Sequence, residues 1–401
     1  MELSEEPGAM PRPLAGQNAQ AGETIRLTLD ARVQQTAEAL LGDRTGALVV
    51  LDVETGKVIA LVSHQNPQPL DRTDAALIDT TIQDSDVPQD RDKLVAPQAA
   101  HLALQGQLPG SLFELVTATA ALESGTFAPN RGLRVRPWKR VGGVRFGDRY
   151  RSASSVLSLR TALQRQDPIL SEALFEDIAL TLGTGEAITW ARKLGLGQRT
   201  GIELQQEEVM PLPLEQLWKR ESEQERWFVG DGVNLALGRG ELRVSPLQMA
   251  VFVGLLVNGG YRVQPHLVDG ATAATPRQFV GLKPNTVRTL QQGFKTAPLA
   301  IASAGNPETS SATSPSSPAL AGRSSTVSHP NGEQWQWFTA YAPAQAPQYV
   351  AVAIVADGTI AGDTISNASP GDRLAEQLVQ TGLWESLNPY RTRSQLIPRV
   401  P

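Results

Sequence analysis

Cysteine is absent from all 401 positions. That excludes disulfide staples, thiolate nucleophiles and cysteine metal sites, so stability rests on a packed core and a nucleophile has to be of another kind. Histidine is scarce: His64, His101, His266 and His329 are the only four. None stands at a metal-site spacing, so each reads as surface or structural, and neither a metal nor a cofactor is expected. A phosphate-binding loop is missing as well, because neither Gly183-Thr184-Gly185 nor Gly238-Arg239-Gly240 leads into Gly-Lys-Ser/Thr. The longest strongly apolar stretch, Met249–Val257, has nine residues and contains Gly254. It is too short for a transmembrane helix and reads as a core helix segment. No signal peptide is visible. A native start at Met1 therefore predicts a cytoplasmic chain, and a trimmed start an anchored one. Cations are in the minority, 36 against 41 acids, so no nucleic-acid partner is expected.

With 41% hydrophobic residues, the chain has enough apolar material for a full core. Residues 1–23 read as a flexible lead-in, rich in Glu, Pro, Gly, Ala and Gln. Thr24–Leu29 alternates like a short strand, and Asp30 is placed to cap a helix over Ala31–Leu41. Gly46–Asp52 and Val58–Ser63 read as two strands joined by a turn at Glu54-Thr55-Gly56-Lys57. The polar stretch 64–95 reads as a surface excursion, and 96–107 as a short helix. Residues 152–195 carry helical apolar spacing, broken at Gly183 and Gly185. Ser245-Pro246 opens a helix that ends at Asn258-Gly259-Gly260. Another helix is expected over 284–298. The tract 303–320, of Ser, Thr, Ala, Pro and Gly, reads as a loop inside the domain. Strands follow at Trp335–Ala342 and Tyr349–Ala356, then a helix over about 373–380 and a tail over 388–401.

The chemical signal is Leu108-Pro109-Gly110-Ser111-Leu112-Phe113-Glu114. A Pro-Gly turn delivers Ser111 to the start of an apolar helix that Ser124-Gly125 should end. Backbone N–H groups at such a helix start favour developing negative charge. This stretch resembles the nucleophile motif of the penicillin-binding protein transpeptidase domain, shared with serine β-lactamases. Other phrases match as well: the opening helix and hairpin, Gly195–Ile202, and Ala236–Leu242 running into Val244–Ala250 and on to Val268. The resemblance covers about residues 24–385. It implies an α/β fold, β-lactamase/transpeptidase-like, with a central five-stranded antiparallel sheet flanked by helices and a mostly helical subdomain over about 96–245. The domain is expected to span 24–387.

The resemblance also defines what the chemistry requires. The family places a lysine base one helical turn after the serine, and Glu114 stands there. With a reference pKa of about 4.3, a glutamate is a poor base near neutrality unless burial raises it. A solvated or arginine-paired Glu114 is expected. The family's Ser-x-Asn aligns with Gln166-Asp167-Pro168, where neither key residue survives. Its Lys-Thr/Ser-Gly aligns with Arg323-Ser324-Ser325, which keeps a cation and a hydroxyl but replaces the glycine, so Ser325 should crowd a ligand. Thr326 is expected to share an oxyanion hole with the Ser111 N–H. The resemblance thus implies a non-catalytic homologue, a scaffold or regulator among bacterial envelope or division proteins, and a periplasmic or envelope location. Two alternatives stay open: a serine D,D-transpeptidase, carboxypeptidase or hydrolase using Ser111, and a module that binds peptidoglycan peptide without turnover.

One segment is left over. Arg131, Arg134, Arg136, Lys139, Arg140, Arg145, Arg149 and Arg151 face Asp148 alone, with Trp138, Phe146 and Tyr150 between them. An exposed basic docking patch over 131–151 is expected, with ordinary solvated surface as the alternative.

Overall fold

The computed structural model describes residues 22–65, 101–147, 154–165, 168–209, 211–213, 228–270, 277–294, 321–329, 332–344 and 346–356. The expectations for 1–21, most of 64–95, the tract 303–320, the C-terminal helix and the tail lie outside them.

Helix α1, Ala31–Leu41, starts where Asp30 Oδ1 accepts the N–H groups of Arg32 and Val33. Its buried residues Val33, Ala37, Leu40 and Leu41 follow the spacing of one helix face. Strands β1 (Gly46–Asp52) and β2 (Val58–His64) form the expected hairpin. Short 3₁₀ turns occupy Gly110–Leu112 and Leu102–Leu104, the latter within the stretch 96–107 read as a short helix, of which 96–100 lie outside the described residues. Helix α2, Glu114–Glu123, follows directly and stops at Ser124.

Two small antiparallel pairs come next. Strands β3 (Leu133–Val135) and β6 (Ser155–Leu157) form one, and β4 (Trp138–Val141) and β5 (Val144–Gly147) the other. The helical run expected from residue 152 therefore begins only at α3, Leu159–Arg165, because Ser155–Leu157 pairs with β3 instead. Helices α4 (Pro168–Leu182) and α5 (Thr184–Lys193) follow. Then come α6 (Val229–Ala236) and α7 (Pro246–Val257). Ser245 and Gln248 cap α7 reciprocally, each side chain accepting the other's backbone N–H. The short pair β7 (Tyr261–Arg262) and β8 (Gln278–Phe279) and helix α8 (Pro284–Phe294) precede the last strands, β9 (Ala321–Ser328), β10 (Gln334–Ala342) and β11 (Tyr349–Ala356). The strand expected at Thr24–Leu29 reduces to one bridge, Leu27 to Val268.

The five long strands form one antiparallel sheet in the order β2-β1-β11-β10-β9. Alternation along each strand divides the side chains between two faces. Leu48, Val50, Ala351 and Ala353 pack with α1 on one face. Ala47, Val49, Leu51, Val352 and Ile354 pack on the other with α7, all of whose residues are buried. Helix α7 thus ties the sheet to the helical half. Strand β9 is one of the two edges, and it lies against the 3₁₀ turn that carries Ser111.

Candidate active site

The serine turn is held from several sides. Gln107 and Val244 exchange backbone hydrogen bonds at 3.0 and 2.8 Å. The Leu108 carbonyl accepts the indole N–H of fully buried Trp337 at 2.7 Å. Gly110 donates its N–H to the Gly238 carbonyl at 3.0 Å. Both glycines have positive φ, +55° and +69°, and neither site has room for a side chain. A Cβ on Gly238 would stand 2.0 Å from the Gly110 carbonyl oxygen. Tight backbone packing therefore fixes where Ser111 sits.

Glu114 and Arg323 come together at this turn. Arg323 Nη2 donates to Glu114 Oε2 at 2.7 Å, and both side chains are about 97% buried or more, with exposures of 2% and 3%. The same nitrogen reaches the Ser111 carbonyl at 3.3 Å, and Nη1 donates to the Leu163 carbonyl at 3.2 Å. The solvated version of Glu114 is thereby excluded, and the arginine-paired version is what forms. Burial pushes the Glu114 carboxyl up from 4.5 to about 7, against the downward pull of Arg323 and with a smaller upward push from Glu172. Burial likewise lowers the Arg323 pKa, while Glu114 opposes that shift.

Arg323 therefore keeps its charge in sequence but pairs it with Glu114. Its guanidinium is turned inward and neutralises the residue standing at the lysine position. The burial pattern of β9 explains this orientation: Arg323, Ser325 and Val327 are buried, whereas Ser324 is half-buried and Thr326 and Ser328 are exposed.

Ser325 does more than crowd the strand. Its Oγ accepts the backbone N–H of Ser111 at 2.9 Å. That N–H is one of the two donors expected of an oxyanion hole, and here it is engaged by a side chain of the protein itself. No described residue makes a hydrogen bond to Ser111 Oγ.

Between the turn, β9, α4 and the Gly238–Arg243 segment lies a groove of about 780 Å³. Ser111, Glu114, Arg323, Ser324, Ser325 and Thr326 all line it. Four further lining residues were not legible beforehand: Ser171, Glu172, Arg239 and Arg243. Glu172 and Arg239 form an ion pair across the groove wall. Ser171 supplies a hydroxyl, but its proton is engaged by the Ala162 carbonyl at 3.1 Å. Arg239 had a signal in its place between two glycines, whereas Glu172 looks like any polar residue of an amphipathic helix. Gln166 and Asp167 lie outside the described residues, and Pro168 begins α4.

The penicillin binding protein transpeptidase domain profile matches residues 46–379. Among curated proteins, the peptidoglycan D,D-transpeptidase MrdA of Haemophilus influenzae is 28% identical over 396 residues, covering 90% of this chain and 57% of the relative. MrdA of Escherichia coli K12 is 28% identical over 284 residues, covering 69% of this chain and 42% of the relative. The chain thus spans about half the length of the curated relatives it matches. Among solved structures, Pseudomonas aeruginosa PBP2 in complex with WCK 5153 superposes with a TM-score of 0.66 at 23% identity, over 94% of this chain and 79% of that one. Helicobacter pylori PBP2 in its complex with MreC gives 0.65 at 20% identity, over 91% and 64%. At these identities the structural likeness speaks for the fold.

Proposed function

We propose that this chain, which belongs to the penicillin binding protein transpeptidase domain family, is a non-catalytic member acting as a scaffold or regulatory subunit of bacterial envelope or division machinery. The observation that carries the reading is the buried Glu114–Arg323 pair. Acyl transfer by a serine needs a base to take the hydroxyl proton, and such assistance is typically worth about 10²–10⁴-fold. Here the residue one turn from Ser111 is held by a guanidinium, and that guanidinium is spent on it. The Ser325 hydroxyl removes a second requirement by engaging the Ser111 N–H. An envelope setting and a protein partner are supported by kinship alone: the relatives are named peptidoglycan transpeptidases, and one fold neighbour was solved with MreC.

Long incubation with fluorescent penicillin, followed by intact-protein mass measurement, tests this. No adduct on Ser111 is expected. A stoichiometric adduct that disappears in Ser111→Ala would overturn the reading in favour of an acyl-transfer enzyme. One observation favours that second reading: a Glu114 carboxyl near pKa 7 is far closer to a working base than an ordinary glutamate. It requires adduct formation to rise as pH passes 7, where Glu114 becomes an anion. Tight binding of muropeptides with no turnover would instead make the groove a binding module.

A further inference from the structure

The basic segment folds into two small exposed sheets, and their charge is arranged in a way that folding alone does not call for. No acidic residue occurs between Ser124 and Gly147. Of the described cations there, Lys139 is turned inward, to Glu176 at 3.3 Å and to Asp177, on α4. Arg131, Arg134, Arg136, Arg140 and Arg145 are exposed, and none forms an ion pair with another described residue. Arg140 and Arg145 stand directly opposite each other across β4 and β5. Like charges in that position destabilise a hairpin. Trp138 lies on the same face, 38% exposed, with the Arg145 guanidinium 4.1 Å from its ring centroid. The neighbouring pair repeats the pattern, because Arg134 faces Val156, which is 66% exposed.

We infer that this face docks an extended acidic segment of a protein partner, one in which carboxylates alternate with apolar side chains. Planar guanidinium groups match carboxylates in a two-pronged geometry. Exposed aromatic and arginine side chains are the residue types that carry protein interfaces. A membrane surface fits less well. There several apolar groups should project from the tip, but the tip of the β4–β5 hairpin is Gly142-Gly143, with Val144, 61% exposed, as the one exposed apolar side chain beside it.

The probe is a fluorescein-labelled peptide of repeated Asp-Leu-Glu-Leu units, titrated by anisotropy into the full chain at low salt. Saturable binding is expected. The doubly neutralised Arg140→Gln/Arg145→Gln variant should weaken it about tenfold, the scale of two ion pairs within the usual range of exposed-pair strength. The control Arg32→Gln/Arg199→Gln removes the same charge from exposed positions elsewhere and should leave affinity within about twofold. Both variants alter surface side chains only, and a melting temperature no lower than that of the wild type verifies that each is folded. Equal loss in both variants would reduce the effect to net charge and overturn the site. Tighter, Arg140/Arg145-dependent binding to phosphatidylglycerol vesicles than to the peptide would overturn it in favour of a lipid surface.

Discussion

Glu114 and Arg323 are single-residue changes that make sense only as a pair. Burying two charges is costly, and the attraction between them returns part of the cost. Removing one partner exposes the rest. Glu114→Met strands a guanidinium that cannot give up its proton, and should destabilise by about 3–5 kcal/mol. Arg323→Met should cost less, because the orphaned carboxyl can protonate near neutral pH. The double Met variant should return close to the wild type, and denaturant unfolding of all four proteins measures the coupling. Glu114→Lys would set a second cation against Arg323, so it should destabilise without restoring acylation.

The same carboxyl gives a pH signature. Its folded pKa of about 7 lies above the ordinary value of 4.5, so the folded state binds the proton more tightly. Stability from this source is fully present below about 4.5 and is lost as pH rises through about 7, a change of about 3 kcal/mol. Subtracting the unfolding free energies of Glu114→Gln from those of wild type, across that window, isolates the term. A flat difference would mean that Glu114 remains ionised throughout.

At the scale of elements, the basic hairpin is anchored by its one inward cation. Lys139 reaches the Ala173 carbonyl at 2.8 Å as well as Glu176 and Asp177. Glu176 is 2% exposed, and burial raises its pKa while Lys139 opposes the shift. Lys139→Met should therefore cost about 1–3 kcal/mol, since it leaves a buried carboxylate without its partner. Hydrogen exchange should accelerate over 138–147 in that variant while β10 and β11 keep their protection. Uniform acceleration across the sheet would show that the hairpin is not a separately anchored unit. The residue that looked like one docking cation among eight is thus a fastener, and the docking face consists of its outward neighbours.

At the scale of the molecule, the two ends of the described chain share one sheet. Residues 46–64 supply β1 and β2, residues 321–356 supply β9 to β11, and β1 pairs with β11 along seven positions. Between them, α7 packs on β1 and β11 and joins this layer to the helical half. Such closure predicts one cooperative unit, with β1 and β11 amides exchanging at the same free energy, close to that of global unfolding. Native-state hydrogen exchange against denaturant checks it. A lower-energy opening confined to β1 and β2 would separate the amino-terminal hairpin from the rest.

What the sequence determined by itself follows local rules. Asp30 and Ser245 announce helix starts, the apolar runs at 46–52 and 349–356 announce buried strands, and Pro109-Gly110-Ser111 announces the turn that presents a hydroxyl. Each depends on neighbours within a few positions, which is why the serine and the altered positions at 114 and 323–325 stood out. Short pieces were misread for the same reason: Ser155–Leu157 has no local signal that outweighs its pairing with β3. Only the tertiary structure decided what the altered residues do. Arg323 lies 209 positions from Glu114 and Ser325 lies 214 from Ser111, and no local pattern states which way a side chain on an edge strand will turn. Burial on both sides left each charge needing the other, and proximity of two backbones brought the Ser325 hydroxyl to the Ser111 N–H. The loss of a lysine was legible in the chain. Its replacement by a buried ion pair became visible only when the sheet edge met the serine turn.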